Sequence, residues 1–187
     1  MRRVAARDRQ AFELLYQRYY TRLSGYVAKF LQRRELVEEV LNDVMLVVWS
    51  RAERFNYTSR LSTWIFGIAY NKILQTLRDH TPPTPEETAQ AAAMLAPEAP
   101  DEAWKRHELR QSLGRALQTL SVEQRSAIEL TFYYGFSCQE IADIMQCPVN
   151  TVKTRLFHAR KRLEPLLANE GFGVQALRSA TKDTPHA

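Results

Sequence analysis

The sequence predicts an all-α protein of two small helical domains. An N-terminal helical bundle and a C-terminal four-helix domain with a helix-turn-helix are joined by an acidic, Pro/Ala-rich linker. Three observations predict it. Apolar residues recur at three- and four-residue steps through both ends of the chain, the period of helices that bury one face. No stretch alternates apolar and polar residues over the length of a strand. Near the middle the composition changes: residues 81–104 hold Pro82, Pro83, Pro85, Pro97 and Pro100, carry Glu86, Glu87, Glu98, Asp101 and Glu102, and contain no Lys or Arg. That segment is −5 in a chain of net charge +5, so its flanks together carry +10.

The chain has 187 residues, enough for one medium domain or two small ones. The linker decides for two, with predicted boundaries at 1–80, 81–104 and 105–168 and a tail at 169–187. The first residues, Met1 to Asp8, are charged and lack the apolar core of a signal peptide. The longest apolar run, Val44 to Trp49, is far too short to cross a bilayer. The expectation is a cytoplasmic protein with no membrane insertion.

Helical stripes follow in order. Phe12, Leu15, Tyr16, Tyr19, Leu23, Tyr26, Val27 and Phe30 form the first. Val37, Val40, Leu41, Val44 and Val48 form the second, and Trp64, Ile65, Ile68, Ala69 and Ile73 the third. Between the last two, Phe55 to Ser62 is polar, breaks the period and reads as a loop. In the linker, Thr84-Pro85-Glu86-Glu87 is a good helix start, with a capping Thr, Pro in the first turn and acids at the positive end of the dipole. It predicts a short helix near 85–95. Beyond it, Leu109, Leu113, Ala116, Leu117 and Leu120 make another stripe. Ser121-x-x-Gln124 and Ser137-x-x-Glu140 are capping boxes before Ile128, Leu130 and Phe132, and before Ile141, Ala142, Ile144 and Met145. Pro148 restarts the chain, and Val149, Val152, Leu156, Ala159 and Leu163 form the last stripe.

Three surfaces carry chemistry. Residues 137–162 read as a short helix, a connection of Gln146-Cys147-Pro148 and a longer helix, which must cross steeply as in a helix-turn-helix. The second helix offers polar and basic residues outward, the recipe for a major groove. Lys153, Thr154, Phe157 and His158 are predicted to reach base edges. Thr151, Arg155, Arg160 and Lys161 are predicted to meet phosphates. The alternative is a solvated basic helix in an ordinary bundle.

On the second stripe's helix, the core face leaves Met45, Leu46, Val47 and Trp49 partly outside, beside Glu39, Asn42 and Asp43. Apolar residues with a polar rim suggest a protein interface. After it, aromatic and basic residues alternate. Phe55, Asn56, Tyr57, Arg60 and Ser62 in the loop, with Trp64, Tyr70, Asn71 and Lys72 from the next helix, suit an unpaired strand. Rings stack on bases, cations follow phosphates, and polar groups bond the edge of a base turned out of the stack. The competing reading is that Trp64, Phe66 and Tyr70 simply fill the core.

No cofactor or metal site is expected. The glycines are scattered, and His80, His107, His158 and His186 are far apart. Cys138 and Cys147 lack metal spacing and read as free buried thiols. With no phosphate loop and no nucleophile motif, an enzyme is not expected.

Two segments resemble a known family. Leu120-Ser121-Val122-Glu123-Gln124-Arg125, then Tyr134 to Ala142 and Cys147 to Arg160, resemble the fourth conserved region of the extracytoplasmic-function (ECF) sigma factors of the sigma-70 family. Glu38 to Trp49, with the Arg51-to-Phe66 stretch and Tyr70-Asn71-Lys72, resembles the second region. The resemblance covers roughly residues 10–80 and 106–165. It implies an alternative, stress- or envelope-type sigma factor that directs RNA polymerase core to promoters. By the same resemblance, Glu39, Asn42, Asp43, Leu46, Val47 and Trp49 would bind core polymerase through its beta-prime clamp, with beta-subunit contacts besides. The aromatic loop and its helix would open the −10 element, the C-terminal helix-turn-helix would read the −35 element, and the linker would lie in a basic channel of the polymerase. Promoter DNA, double- and single-stranded, and an anti-sigma factor are the implied partners.

Two departures from the family pattern stand out. Asn42-Asp43 replaces the usual Gln-Glu, each side chain one methylene shorter. Leu77-Arg78-Asp79-His80 replaces a run of arginines, so melting should lean more on the loop. A one-component regulator, with residues 1–80 sensing a ligand or forming a dimer, is the rival. It predicts a palindromic site and no dependence on polymerase.

Overall fold

A computed structural model describes residues 1–80 and 114–168, with side chains as far as Pro165. Every regular element among the described residues is a helix. The chain forms two compact units. The linker, the expected helix near 85–95, Leu109, Leu113 and the tail lie outside the described residues.

The N-terminal helices begin with a turn the periodicity did not announce. Helix α1 (Arg2–Ala5) buries Val4 and ends in a turn where Arg7 takes φ 63°. Helix α2 (Arg9–Val27) follows. Asp8 caps it by accepting the Ala11 amide at 3.0 Å, and Arg3 adds an ion pair at 2.7 Å. That amide bond, and then Arg3, hold the Asp8 carboxyl below its usual pKa. Helix α3 (Arg34–Ser50) has no side-chain cap, but Glu35 stands at its positive end, and Arg34 pairs with Glu38 at 2.8 Å. A 3-10 turn (Ala52–Arg54) and a loop lead to helix α4 (Leu61–Asp79).

Helix α3 packs against both α2 and α4 and is the middle of this unit. Its second-stripe residues are all buried, joined by Leu36 and Met45. From α2 come Leu15, Tyr19, Leu23, Tyr26 and Val27, and from α4 Ile65, Phe66, Ala69, Tyr70 and Ile73. The Tyr26 and Phe66 rings meet at 5.3 Å. Each buried Leu, Ile, Val or Phe among them contributes about 1.5–3 kcal/mol of burial free energy. Phe12, Tyr16, Phe30, Trp64 and Ile68, assigned to the stripes, are only half-buried. At the ends of a stripe a large ring covers the edge of the core while its rim stays wet.

The C-terminal helices start in a helical stretch at 114–118 that buries Ala116 and Leu117. Both capping boxes form. At helix α5 (Val122–Phe132) the Ser121 and Gln124 side chains exchange bonds with each other's amides. At helix α6 (Cys138–Met145) the Glu140 amide donates to Ser137 Oγ at 3.2 Å, and the Ser137 amide to Glu140 Oε2 at 2.9 Å. Gly135, at φ 71°, turns the chain between them.

The connection from α6 to helix α7 (Val149–Ala168) is tight for a local reason. Gln146 takes φ 50°, and the Cys147 amide reaches back to the Ala142 carbonyl at 3.1 Å. A left-handed residue with a bond back to a carbonyl five residues earlier is a Schellman ending. Pro148 follows, and its carbonyl accepts the Thr151 amide at 2.9 Å. Helix α7 buries Val152, Leu156, Ala159 and Leu163 and packs on α5. The two cysteines are free but half-buried, less enclosed than expected.

Candidate functional site

The outer face of α3 forms a shallow, open depression against α2. It spans about 420 Å³ and is lined by Phe12, Tyr16, Asn42, Met45, Leu46 and Trp49. Leu46 is 63 % exposed, Glu39 and Asn42 are exposed, and Val47 and Trp49 are half-buried. Met45 corrects the expectation: at 3 % exposure it belongs to the core, because it follows Leu41 by four residues on the buried face. Trp49 is held by Phe12 and Arg7. Phe12 meets its ring at 4.9 Å, the Arg7 guanidinium lies 5.6 Å over it, and Arg7 Nη1 donates to the Trp49 carbonyl at 2.8 Å. That carbonyl is in the last turn of α3, where no backbone donor remains and a cation is favoured.

Asp43 and Lys72, assigned to different surfaces, are bound to each other. Lys72 Nζ and Asp43 Oδ2 are 2.7 Å apart, joining α4 to α3. Both are partly exposed, so the pair is worth about 0.2–1 kcal/mol at most. Its larger effect is to reduce the charge each presents outward.

The loop before α4 is ordered by its own residues. Asn56 Oδ1 accepts the Thr58 amide at 3.1 Å and the Thr58 hydroxyl at 2.7 Å, an Asx-type turn. Inside that turn Tyr57 takes φ 62° and stands 54 % exposed. A bulky residue in the left-handed region is a genuine outlier, and such strain concentrates at sites of function. Phe55 lies under it, buried, 4.7 Å from the Tyr57 ring and 5.5 Å from that of Trp64. Arg60 and Asn71 are exposed and Trp64 is half-buried.

Two placements differ from the loop reading. Ser62 is in the first turn of α4, which begins at Leu61 with Arg60 as its cap residue. Tyr70 is 3 % exposed and serves the core, as does Phe66. For Tyr70 and Phe66 the apolar face of α4 is wider than the third stripe predicted.

On α7 the structure separates the assigned residues by exposure. Lys153, Thr154, Phe157, His158 and Lys161 are exposed, with Phe157 at 61 %. Thr151, Arg155 and Arg160 are half-buried. The Thr154 hydroxyl donates to the Asn150 carbonyl at 2.9 Å, so it faces a partner as an acceptor. Phe157 and His158 meet edge to face at 5.5 Å. Arg160 turns inward, its guanidinium 6.0 Å over the Phe132 ring, and burial lowers its pKa while Cys138 opposes the shift.

Sequence reasoning missed Arg2, Arg7, Phe12 and Tyr16 as surface participants. Phe12 and Tyr16 carried a signal, since the five rings of α2, Phe12, Tyr16, Tyr19, Tyr20 and Tyr26, exceed what one core stripe holds. Arg2 and Arg7 carried none, because α1 and the turn after it are too short to show a period.

Among the described residues no helix is long and apolar enough to cross a membrane, and no cluster of His, Cys, Asp or Glu has metal-binding geometry. Residues 15–82 match the family description Sigma-70 region 2, and residues 110–163 match Sigma-70, region 4. The RNA polymerase sigma-H factor of Pseudomonas aeruginosa is 32 % identical over 88 % of this chain and 92 % of its own length. The ECF RNA polymerase sigma-E factor of Escherichia coli K12 is 30 % identical over 87 % of this chain and 89 % of its own. Two solved structures share the fold. The Bartonella quintana sigma factor RpoE, bound to the anti-sigma factor NepR, aligns with a TM-score of 0.63 at 24 % identity, covering 85 % of this chain and 98 % of its own. CnrH, bound to the cytosolic domain of CnrY, aligns at 0.65 and 23 % identity, covering 89 % and 94 %.

Proposed function

The chain belongs to the ECF group of the sigma-70 family, and from that premise we propose how its residues divide the work of a sigma factor. As a sigma factor it directs RNA polymerase core to promoters and is a transcription initiation factor, not an enzyme. Residues 1–80 act as region 2, 81–104 as a linker in a basic polymerase channel, and 105–168 as region 4.

Core polymerase docks on the depression between α2 and α3. Leu46 supplies the exposed apolar anchor, Trp49 and Val47 extend it, and Glu39, Asn42 and Asp43 form the polar rim. The loop holds an unpaired base of the −10 element. Tyr57 offers a stacking face, Asn56 a polar edge, and Arg60 and Asn71 line the path, with Trp64 at its base. Phe55 and Tyr70 support these residues from the core rather than touching DNA. Helix α7 reads the −35 element, with Lys153, Thr154, Phe157 and His158 toward base edges. Lys161 takes phosphate with Arg155 and Thr151, whereas Arg160 mainly packs on Phe132. An anti-sigma factor that covers these faces is the proposed regulator, and the cytoplasm the proposed compartment. The structural relatives support this only as proteins of the same fold whose own structures contain such partners.

The observation that carries the reading is the sorting along α7. Val152, Leu156, Ala159 and Leu163 are buried while Lys153, Phe157, His158 and Lys161 face out, directly after a tight turn. Run-off transcription with purified core and promoters from the same genome tests it. Asp43→Lys is a poor probe, because it would also set a second cation beside Lys72. Leu46→Asp perturbs an exposed residue instead. It should abolish core-dependent initiation while Lys153→Ala keeps core binding and loses promoter selectivity. Tight binding to a palindromic site without polymerase, and no initiation on any promoter, would return the chain to the one-component reading.

A further inference from the structure

A wide groove crosses the N-terminal helices, lined by other residues than the depression around Leu46. It spans about 980 Å³ between α1, α2 and the start of α4. Leu14, 64 % exposed, and Leu61 form an apolar floor. Arg2, Arg3 and Arg18, all exposed, stand on its rim, and no carboxylate lines it. Arg3 pairs with Asp8 at 2.7 Å, so Arg2 and Arg18 set the field. Exposed apolar surface inside a polar rim marks a site for another stretch of polypeptide.

We propose that, in the chain free of polymerase, this groove holds the chain's own segment 94–102, Met94-Leu95-Ala96-Pro97-Glu98-Ala99-Pro100-Asp101-Glu102. Charge picks the occupant. The segment carries three carboxylates and no Lys or Arg, whereas the tail at 169–187 sets Glu170 and Asp183 against Arg178 and Lys182. Order along the segment fits as well, with two apolar side chains for the floor followed by acids for the rim. Length picks the register. The groove lies at the Leu61 end of α4, and the linker leaves from the Asp79 end. The 19 residues of that helix span about 28 Å. Glu86 and Glu87, six and seven residues beyond His80, reach at most about 25 Å and fall short. Met94, fourteen residues beyond, reaches up to about 50 Å and arrives with slack. Met94 and Leu95 would lie over Leu14 and Leu61, with Glu98, Asp101 and Glu102 facing Arg2 and Arg18. Docked there, the segment cannot also lie in a polymerase channel, so core binding must draw it out. That last step rests on the proposed channel placement of the linker; the contact itself does not.

The test places benzoylphenylalanine at position 95 of the full-length chain, irradiates it, and maps the crosslinks by mass spectrometry. They should fall within the chain, on the peptides that hold Leu14 and Leu61. Arg2→Glu with Arg18→Glu, both at exposed positions, should cut that yield about fivefold, the scale of two exposed ion pairs, and circular dichroism checks the fold. Adding Glu98→Lys, Asp101→Lys and Glu102→Lys should restore it. Raised salt should weaken the contact in the unsubstituted chain, as it does any pairing of exposed charges. Saturating core polymerase should remove the crosslink. If it persists with core bound, the groove contact stands and the channel placement of the linker falls. Crosslinks on the Leu46 depression, scattered over the helices, or joining two copies of the chain overturn the proposal. So does a yield that ignores both charge reversals.

Discussion

Gln146 holds the turn between α6 and α7 at φ 50°, where a side chain normally clashes with its own carbonyl. The left-handed penalty is roughly 1–2 kcal/mol, and the extra chain entropy a glycine loses is roughly 0.5–1 kcal/mol. Gln146 is exposed, so its removal forfeits no packing. Gln146→Gly should therefore stabilise the C-terminal helices by about 0.5 kcal/mol, seen as a raised melting temperature. Asp8 predicts a pH effect. Its carboxyl is held below the usual value by the Ala11 amide and by Arg3. Its contribution is complete above the ordinary carboxylate pKa and is lost as pH falls through the lowered one. Asp8→Asn should flatten that part of the acid limb when melts are compared across pH. The Asp43–Lys72 pair should couple by about 0.2–1 kcal/mol in a double-mutant cycle, the range of a partly exposed ion pair. Residue types at these sites were readable in the sequence; their partners were not. Asp43 and Lys72 were assigned to two different surfaces, and no one-dimensional pattern tells that those two faces meet across a helix pair. Met45 was readable, four residues after Leu41 on the buried face, whereas Tyr70 lies at the edge of a stripe whose width depends on the neighbouring helix.

Whole elements were more legible than single residues, because their signals are local. Both capping boxes form as the S-x-x-Q and S-x-x-E spacings predict, since each box closes within four residues and needs nothing from the rest of the chain. Ser121→Ala and Ser137→Ala should each cost about 1 kcal/mol, measurable by urea denaturation. Helix α7 gives the sharper test of its two faces. Leu156 is 1 % exposed, and Leu156→Ala should cost about 2–5 kcal/mol. Phe157, one residue on, is 61 % exposed, so Phe157→Ala should leave stability nearly unchanged and act on DNA affinity instead. Helix α1 and the 3-10 turn escaped notice because they are too short to show a period. The loop before α4 was found as a gap in periodicity, but its shape was hidden. An Asx turn with a left-handed Tyr57 follows from Asn56 bonding Thr58, not from anything Tyr57 itself signals.

At the scale of the molecule, charge is arranged by segment. Residues 81–104 carry −5 and the remaining chain +10, so neutralising Glu86, Glu87, Glu98, Asp101 and Glu102 doubles the net charge from +5 to +10. Two expectations then pull apart. If the acids only moderate the overall attraction of a basic protein for DNA, removing them strengthens every DNA-dependent step. Non-specific duplex binding tightens, and promoter binding and initiation rise with it. If the acids act in a basic channel of the polymerase, as proposed, duplex binding by the free chain still tightens, but initiation by the assembled polymerase falls. The same substitutions then move two measurements in opposite directions. The expected result is tighter anisotropy-measured binding of non-specific duplex by the chain alone, together with weaker run-off transcription at saturating sigma. Core binding and initiation both unchanged would remove the linker from the mechanism and leave the helical parts to carry initiation alone.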